Sequence, residues 1–156
     1  MRQLLLTETF DTFQVHDAAI TTFCTFRVDG AFRSSYFGPD GAEQFPDEQD
    51  RYAYWERVRP FFLGLTRGKH TPLKFQIVFR LSDERAKELL LSAGSRQTAD
   101  LIDSLLLNIR FEDNSLTAVT GVSLKQFSMD RTAEFAWDEA AGRFLKEAGI
   151  PFTVNS

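Results

Sequence analysis

Between Leu105 and Phe127 the chain alternates apolar and polar positions on both sides of a polar break. Leu107, Ile109 and Phe111 lead into Glu112-Asp113-Asn114-Ser115, after which Leu116, Ala118, Thr120, Val122 and Leu124 resume the alternation. Period two marks a strand with one buried face, and a short Asp-Asn-Ser break between two such runs predicts a β-hairpin. Leu73, Phe75, Ile77, Phe79 and Leu81 alternate in the same way with Lys74, Gln76, Val78 and Arg80. This is a further strand, in which Lys74 and Arg80 share the face opposite the aromatic residues. Earlier in the chain, strands are expected at Phe10 to Val15, Ile20 to Val28 and Ala31 to Phe37. His16 and Asp17 fall in the first turn of that meander and Asp29-Gly30 forms the second.

Helical spacing occurs in three places. Tyr54, Val58, Phe61, Phe62 and Leu65 form a stripe over Arg51 to Thr66, which Pro60 bends or interrupts and Gly68 ends. Ser82 or Asp83 caps a helix reaching about Ala93, and after Gly94-Ser95 a second short helix is expected from Thr98 to Leu105. Asp130 caps a last helix with Ala133, Trp137, Ala140, Ala141, Phe144, Leu145 and Ala148 on one stripe. Gly149 and Pro151 end it, and Ile150 to Val154 reads as a tail strand. Arg2 to Glu8 reads as the end of a helix, and the acidic stretch Gly38 to Asp50 as an exposed, mobile loop.

Sliding the chain against itself suggests an internal repeat. At an offset of 96 positions Phe13 to Thr21 matches Ile109 to Thr117, with Phe13 on Ile109, Val15 on Phe111, Ile20 on Leu116 and Asp17 on Asp113. Trp55-Glu56-Arg57-Val58 resembles Trp137-Asp138-Glu139-Ala140 at a shorter offset. The expected fold is therefore α+β. It is one domain over residues 1–156, built on antiparallel sheet from two pseudo-equivalent units, 1–81 and 82–156, each a helix, a three-stranded meander, a helix and a strand.

The length suits one domain burying roughly 68 to 70% of its unfolded surface, and 16 Phe imply a core of packed rings. No apolar run reaches the roughly 18 residues needed to span a bilayer. One cysteine without a secretory signal points to a reducing, cytoplasmic setting. The net charge of −4 is unevenly spread, because residues 51–80 hold seven basic and one acidic side chain.

That basic segment contains the one constellation worth testing: Arg57, Arg59, Arg67, Lys69, His70, Lys74 and Arg80. Fixed cations of this kind could hold phosphates or an acidic partner. They could equally cap the end of the Trp55 helix, or pair with Asp40, Glu43, Asp47, Glu48 and Asp50 in the acidic loop. The remaining chemistry reads as structural. Cys24 lies in phase with Ile20, Phe26 and Val28 as a buried, inert thiol; Asp17 and Asp113 make turns; Trp55 and Trp137 anchor helices on the sheet. With His16 and His70 as the only histidines, no metal site is expected, nor any cofactor.

Five stretches carry a resemblance to a known family: Leu4 to Asp11, Ile20 to Gly30, the Trp55 helix with Arg59-Pro60, Arg67 to Phe79 and Leu116 to Asp130. Together they are similar to a family of small bacterial proteins catalogued as a domain of unknown function. The resemblance implies no activity or site residues. It does imply a strand and the first part of a helix ahead of Leu4, which this sequence does not show. At the level of fold, the paired units also resemble the repeats of sliding DNA clamps. The reading that follows is a non-enzymatic binding or regulatory module with a protein partner and no membrane association. Nucleic-acid or other polyanion binding through residues 51–80 is the alternative, and an enzyme with an unrecognised site the third.

Overall fold

The computed structural model describes residues 1–46, 51–94 and 101–154. It is an α+β fold on a five-stranded antiparallel sheet with strand order β2-β1-β3-β4-β5. The strands are β1 (Gln14–Thr21), β2 (Thr25–Val28), β3 (Lys74–Arg80), β4 (Ile102–Glu112) and β5 (Ser115–Leu124). Five helices are described: α1 (Arg2–Leu5), α2 (Gly41–Gln44), α3 (Trp55–Thr66), α4 (Asp83–Ser92) and α5 (Thr132–Glu147). The chain divides into two compact units, one of Met1–Arg80 with Asn108–Ala118, the other of Leu81–Leu107 with Val119–Ser156.

The first unit is organised by the alternation in β3. Phe75, Ile77 and Phe79 are buried, and the ring of Phe79 collects Phe10 (5.3 Å, stacked), Phe13 (5.6 Å) and Trp55 (5.3 Å, edge-on). Offset and edge-on rings at these separations are favourable beyond the area they bury. Helix α3 turns Trp55, Val58 and Phe62 inward, the spacing of one helical face. The fully buried Trp55 donates its indole N–H to the Leu4 carbonyl at 2.9 Å, which satisfies the one polar atom on the ring. Pro60 does not interrupt α3. Proline removes only the bond to the carbonyl four residues back, that of Glu56; both residues are exposed, so water can take its place.

Two expected features of this unit are corrected. Residues 10–15 and 20–28 are not strands around a turn at His16 and Asp17. Gln14–Thr21 is one strand, and a bulge between Val15 and Asp17 absorbs His16. The hairpin turn to β2 falls instead at Thr22 to Cys24, where the Thr22 N–H donates to the Cys24 carbonyl. Cys24 is consequently exposed rather than buried.

The third strand at 31–37 is also absent. Ala31 makes a single bridge to Tyr52, and Ser34–Phe37 is a 3-10 turn. The backbone of this region is satisfied by tertiary bonds: Ala53 N–H donates to Gly30 O, Phe32 N–H to Arg51 O and Val15 N–H to Ala53 O. Gly30 permits that zipper. Its φ is +72°, and a Cβ there would lie 2.0 Å from the Val15 carbonyl oxygen at the bulge. Gly41–Gln44, within the expected acidic loop, is a short helix; residues 47–50 lie outside the described residues.

In the second unit Ser82 caps α4 as expected, its Oγ accepting from the Arg85 N–H. The expected helix over 98–105 is overturned where it is described, because Ile102–Glu112 is strand; residues 98–100 lie outside the described residues. Asp130 Oδ1 accepts from both the N–H and the hydroxyl of Thr132 at the start of α5. On α5 Ala133, Trp137 and Ala141 are buried, and Trp137 donates its indole N–H to the Leu106 carbonyl at 2.7 Å. Phe144 is only half-buried. Gly149 (φ +73°) ends the helix, but residues 150–154 form no strand.

The hairpin turn between β4 and β5 is Asp113-Asn114, with φ of +53° and +60°. Two successive left-handed residues define the turn that matches strand twist. The offset that lays Asp17 on Asp113 therefore sets the middle of a strand against a turn, and in that register the two segments differ in backbone.

Candidate basic face on the first unit

The first unit takes three of the seven proposed cations into its own structure. Arg59 binds Asp11 with both arms of its guanidinium, Nε to Oδ1 and Nη2 to Oδ2, each at 2.9 Å. Their side chains are 19% and 11% exposed, and the bond to Asp11 raises the Arg59 pKa further above its ordinary value. Arg57 lies over the ring of Phe45 at 4.3 Å and that of Phe32 at 5.7 Å. It thus packs on one ring within the acidic stretch and one ahead of it.

Arg80 keeps its place in the strand alternation but is not the free cation expected. It does not project outward with Lys74; only 7% of it is exposed and its guanidinium lies 4.5 Å over the Tyr52 ring. The cause is position. At this end of β3 the strand pairs with Gln14, and the extended segment holding Tyr52 crosses alongside.

Arg67, Lys69 and His70 are exposed in the connection from α3 to β3, and Lys74 is exposed at the start of β3. Register gives Lys74 two companions that sequence reasoning missed, Arg27 on β2 and Arg110 on β4. Ala19 pairs with Arg27 on one side and Gln76 on the other, while Thr21 pairs with Thr25 and Lys74. Residues two apart on a strand share a face, so these rows stand together on the side away from Phe75 and Ile77. They line a shallow depression of about 170 Å³ that also receives Arg110 and Glu112.

The floor of the depression is small and polar. Thr21 and Thr25 share a hydroxyl hydrogen bond at 2.8 Å, and Gln76 donates its amide to Asn108 Oδ1 at 3.1 Å. Arg110 stands 3.7 Å from Glu112, a loose pair in which both side chains remain half-exposed. Such a pair contributes little and exchanges readily for another anion. The signal for Arg27 and Arg110 lies in sequence parity: each is two residues from another face-lining position, Thr25 and Glu112.

Catalytic features are sparse among the described residues. No group of three or more His, Cys, Asp or Glu residues could hold a metal ion, and no helix is long and apolar enough to cross a membrane. Apart from Arg59, the resolved shifts in proton affinity belong to an exposed ion pair. Hydrogen bonding to Arg33 lowers the Asp29 pKa, and the same bond raises that of Arg33.

The fold and this face define an α+β protein with a polar, cation-lined sheet surface. The chain belongs to the family of unknown function DUF5721, whose model matches residues 3–153. No curated protein and no solved structure matches it.

Proposed function

We propose that the protein is a non-enzymatic binding module that holds an extended polyanion, the phosphate backbone of single-stranded nucleic acid, across the polar face of the sheet in its first unit. The observation that carries this reading is the placement of Arg27, Lys74 and Arg110 on three different strands around one depression. Strands lie about 4.8 Å apart. Arg27 and Arg110 are separated by β1 and β3, hence by about 14 Å, so a chain crossing the strands meets successive cations.

Guanidinium groups suit this task because their forked donors match phosphate oxygens. The Thr21 and Thr25 hydroxyls and the Gln76 amide add neutral donors. Contacts of this kind to the phosphate backbone rest on charge and are independent of base sequence. Arg67 and Lys69, in the connection leading into β3, extend the positive field beyond the depression.

Fluorescence anisotropy with a labelled single-stranded oligonucleotide tests the proposal. Binding at low salt should weaken with a log–log slope of roughly −2, about −0.7 for each of three phosphates. The variant Arg27→Gln/Lys74→Gln/Arg110→Gln should lose binding with its circular dichroism unchanged. Absence of binding by the unmodified protein, or equal binding by the triple variant, overturns the reading. So does a loss confined to Arg67→Gln/Lys69→Gln, since binding would then lie in the connecting loop.

A further inference from the structure

We propose that the protein forms a twofold dimer by antiparallel pairing of β5 with β5 of a second copy. Among the described residues the sheet has two edges, and they are treated differently. Strand β2 is four residues long and carries Arg27, a short charged edge of the kind that discourages pairing. Strand β5 has ten residues, Ser115 to Leu124, without one Asp, Glu, Lys, Arg or Pro among them. Alternate residues of an edge strand direct their N–H and C=O groups away from the sheet, so β5 presents a long row of backbone donors and acceptors.

Side chains agree with the backbone. Leu116 is 45% exposed and Val119 58%. Beyond the strand, Phe127, Met129 and Phe135 are also exposed, so the stretch that follows the edge is rich in uncovered apolar side chains. The Thr120 hydroxyl donates to the Asp138 carboxylate on α5, tying the strand to its own chain.

A second copy fits this edge because the strand is complementary to itself. Antiparallel pairing centred on Val119 sets Leu116 opposite Val122, Ala118 opposite Thr120 and Ser115 opposite Ser123. These pairs oppose apolar to apolar and small to small, and no like charges meet. The contact is isologous, so it closes after two copies instead of propagating.

Sedimentation velocity over a wide concentration range tests this. The full chain should sediment as twice 17.8 kDa at high concentration. Thr117→Lys and Val119→Lys, both at exposed positions, should each weaken the dimer by at least about tenfold, with circular dichroism unchanged. Hydrogen exchange provides a readout that needs no variant, because alternate β5 amides should gain protection as the protein is concentrated. A monomer at every concentration, a dimer that survives both lysines, or a dimer without added protection in β5 would each overturn the proposal.

Discussion

Gly30 and Gly149 permit a controlled measurement of what a close backbone approach costs. Their φ angles are nearly the same, +72° and +73°, but their surroundings differ. A Cβ on Gly149 meets nothing within 4 Å, whereas one on Gly30 lies 2.0 Å from Val15 O and 2.8 Å from Val15 C. Gly149→Ala should therefore cost only the left-handed strain of an L-residue, about 1 to 2 kcal/mol. Gly30→Ala adds a clash with the backbone of an inner strand. Overpacking of a fixed site typically costs about 1 to 3 kcal/mol, for a total of roughly 2 to 5 kcal/mol.

Urea denaturation of both variants, followed by far-UV circular dichroism and fluorescence, gives the difference. Trp55 and Trp137 report one unit each, so single-tryptophan versions show where the loss falls. Equal losses for the two alanines would refute the reasoning, because contact at the bulge would then not be what demands glycine.

Three further outcomes are expected. Trp137→Ala should cost about 3 to 5 kcal/mol and the half-buried Phe144→Ala clearly less; chemical denaturation showing equal, small losses would mean that α5 is not anchored through Trp137. A double-mutant cycle on Arg59 and Asp11 should give a coupling of about 1 to 3 kcal/mol, and a value near zero would deny the bidentate pair a role in stability. Because the Asp29 pKa is lowered in the folded state, its bond to Arg33 contributes above the ordinary carboxylate range and is lost as the pH falls through the lower folded value. The stability difference between the protein and Asp29→Asn, measured by denaturation, should thus be small at neutral pH, with both side chains about two-thirds exposed, and shrink as the pH falls through the lowered folded value.

Period-two alternation made β3 and the β4–β5 hairpin legible, and the polar Asp113-Asn114 pair located their turn, because each pattern is satisfied locally. The failures share another cause. Reading His16 and Asp17 as a turn assumes that polar residues break a strand, whereas the bulge removes one of them from the alternation. The turn at Thr22-Phe23-Cys24 carries no Gly, Pro, Asn or Asp, so nothing in the sequence marks it and Cys24 reads as in phase with its neighbours. Residues 30–32 find their partners at 51–53, a separation that no local pattern encodes.

For the candidate site, clustering along the chain mixed three roles. Arg59 is neutralised by a residue 48 positions away, and Arg57 and Arg80 lie over rings. Arg27 and Arg110 become neighbours of the Lys74 row only through strand register, which requires the sheet order.

The first unit includes Asn108–Ala118, so it is not a continuous stretch of sequence. During synthesis this has a timing consequence. By the time Arg80 has emerged the unit holds β1, β2 and β3, but β3 still lacks its second neighbour and stands as an open edge bearing Phe75, Ile77 and Phe79. It must wait for the residues of α4 and the first half of β4 to be made before Asn108 to Phe111 can close it. The nascent chain thus passes through an interval in which its most aromatic strand invites pairing from outside, and this interval is where a chaperone would be of most use to it.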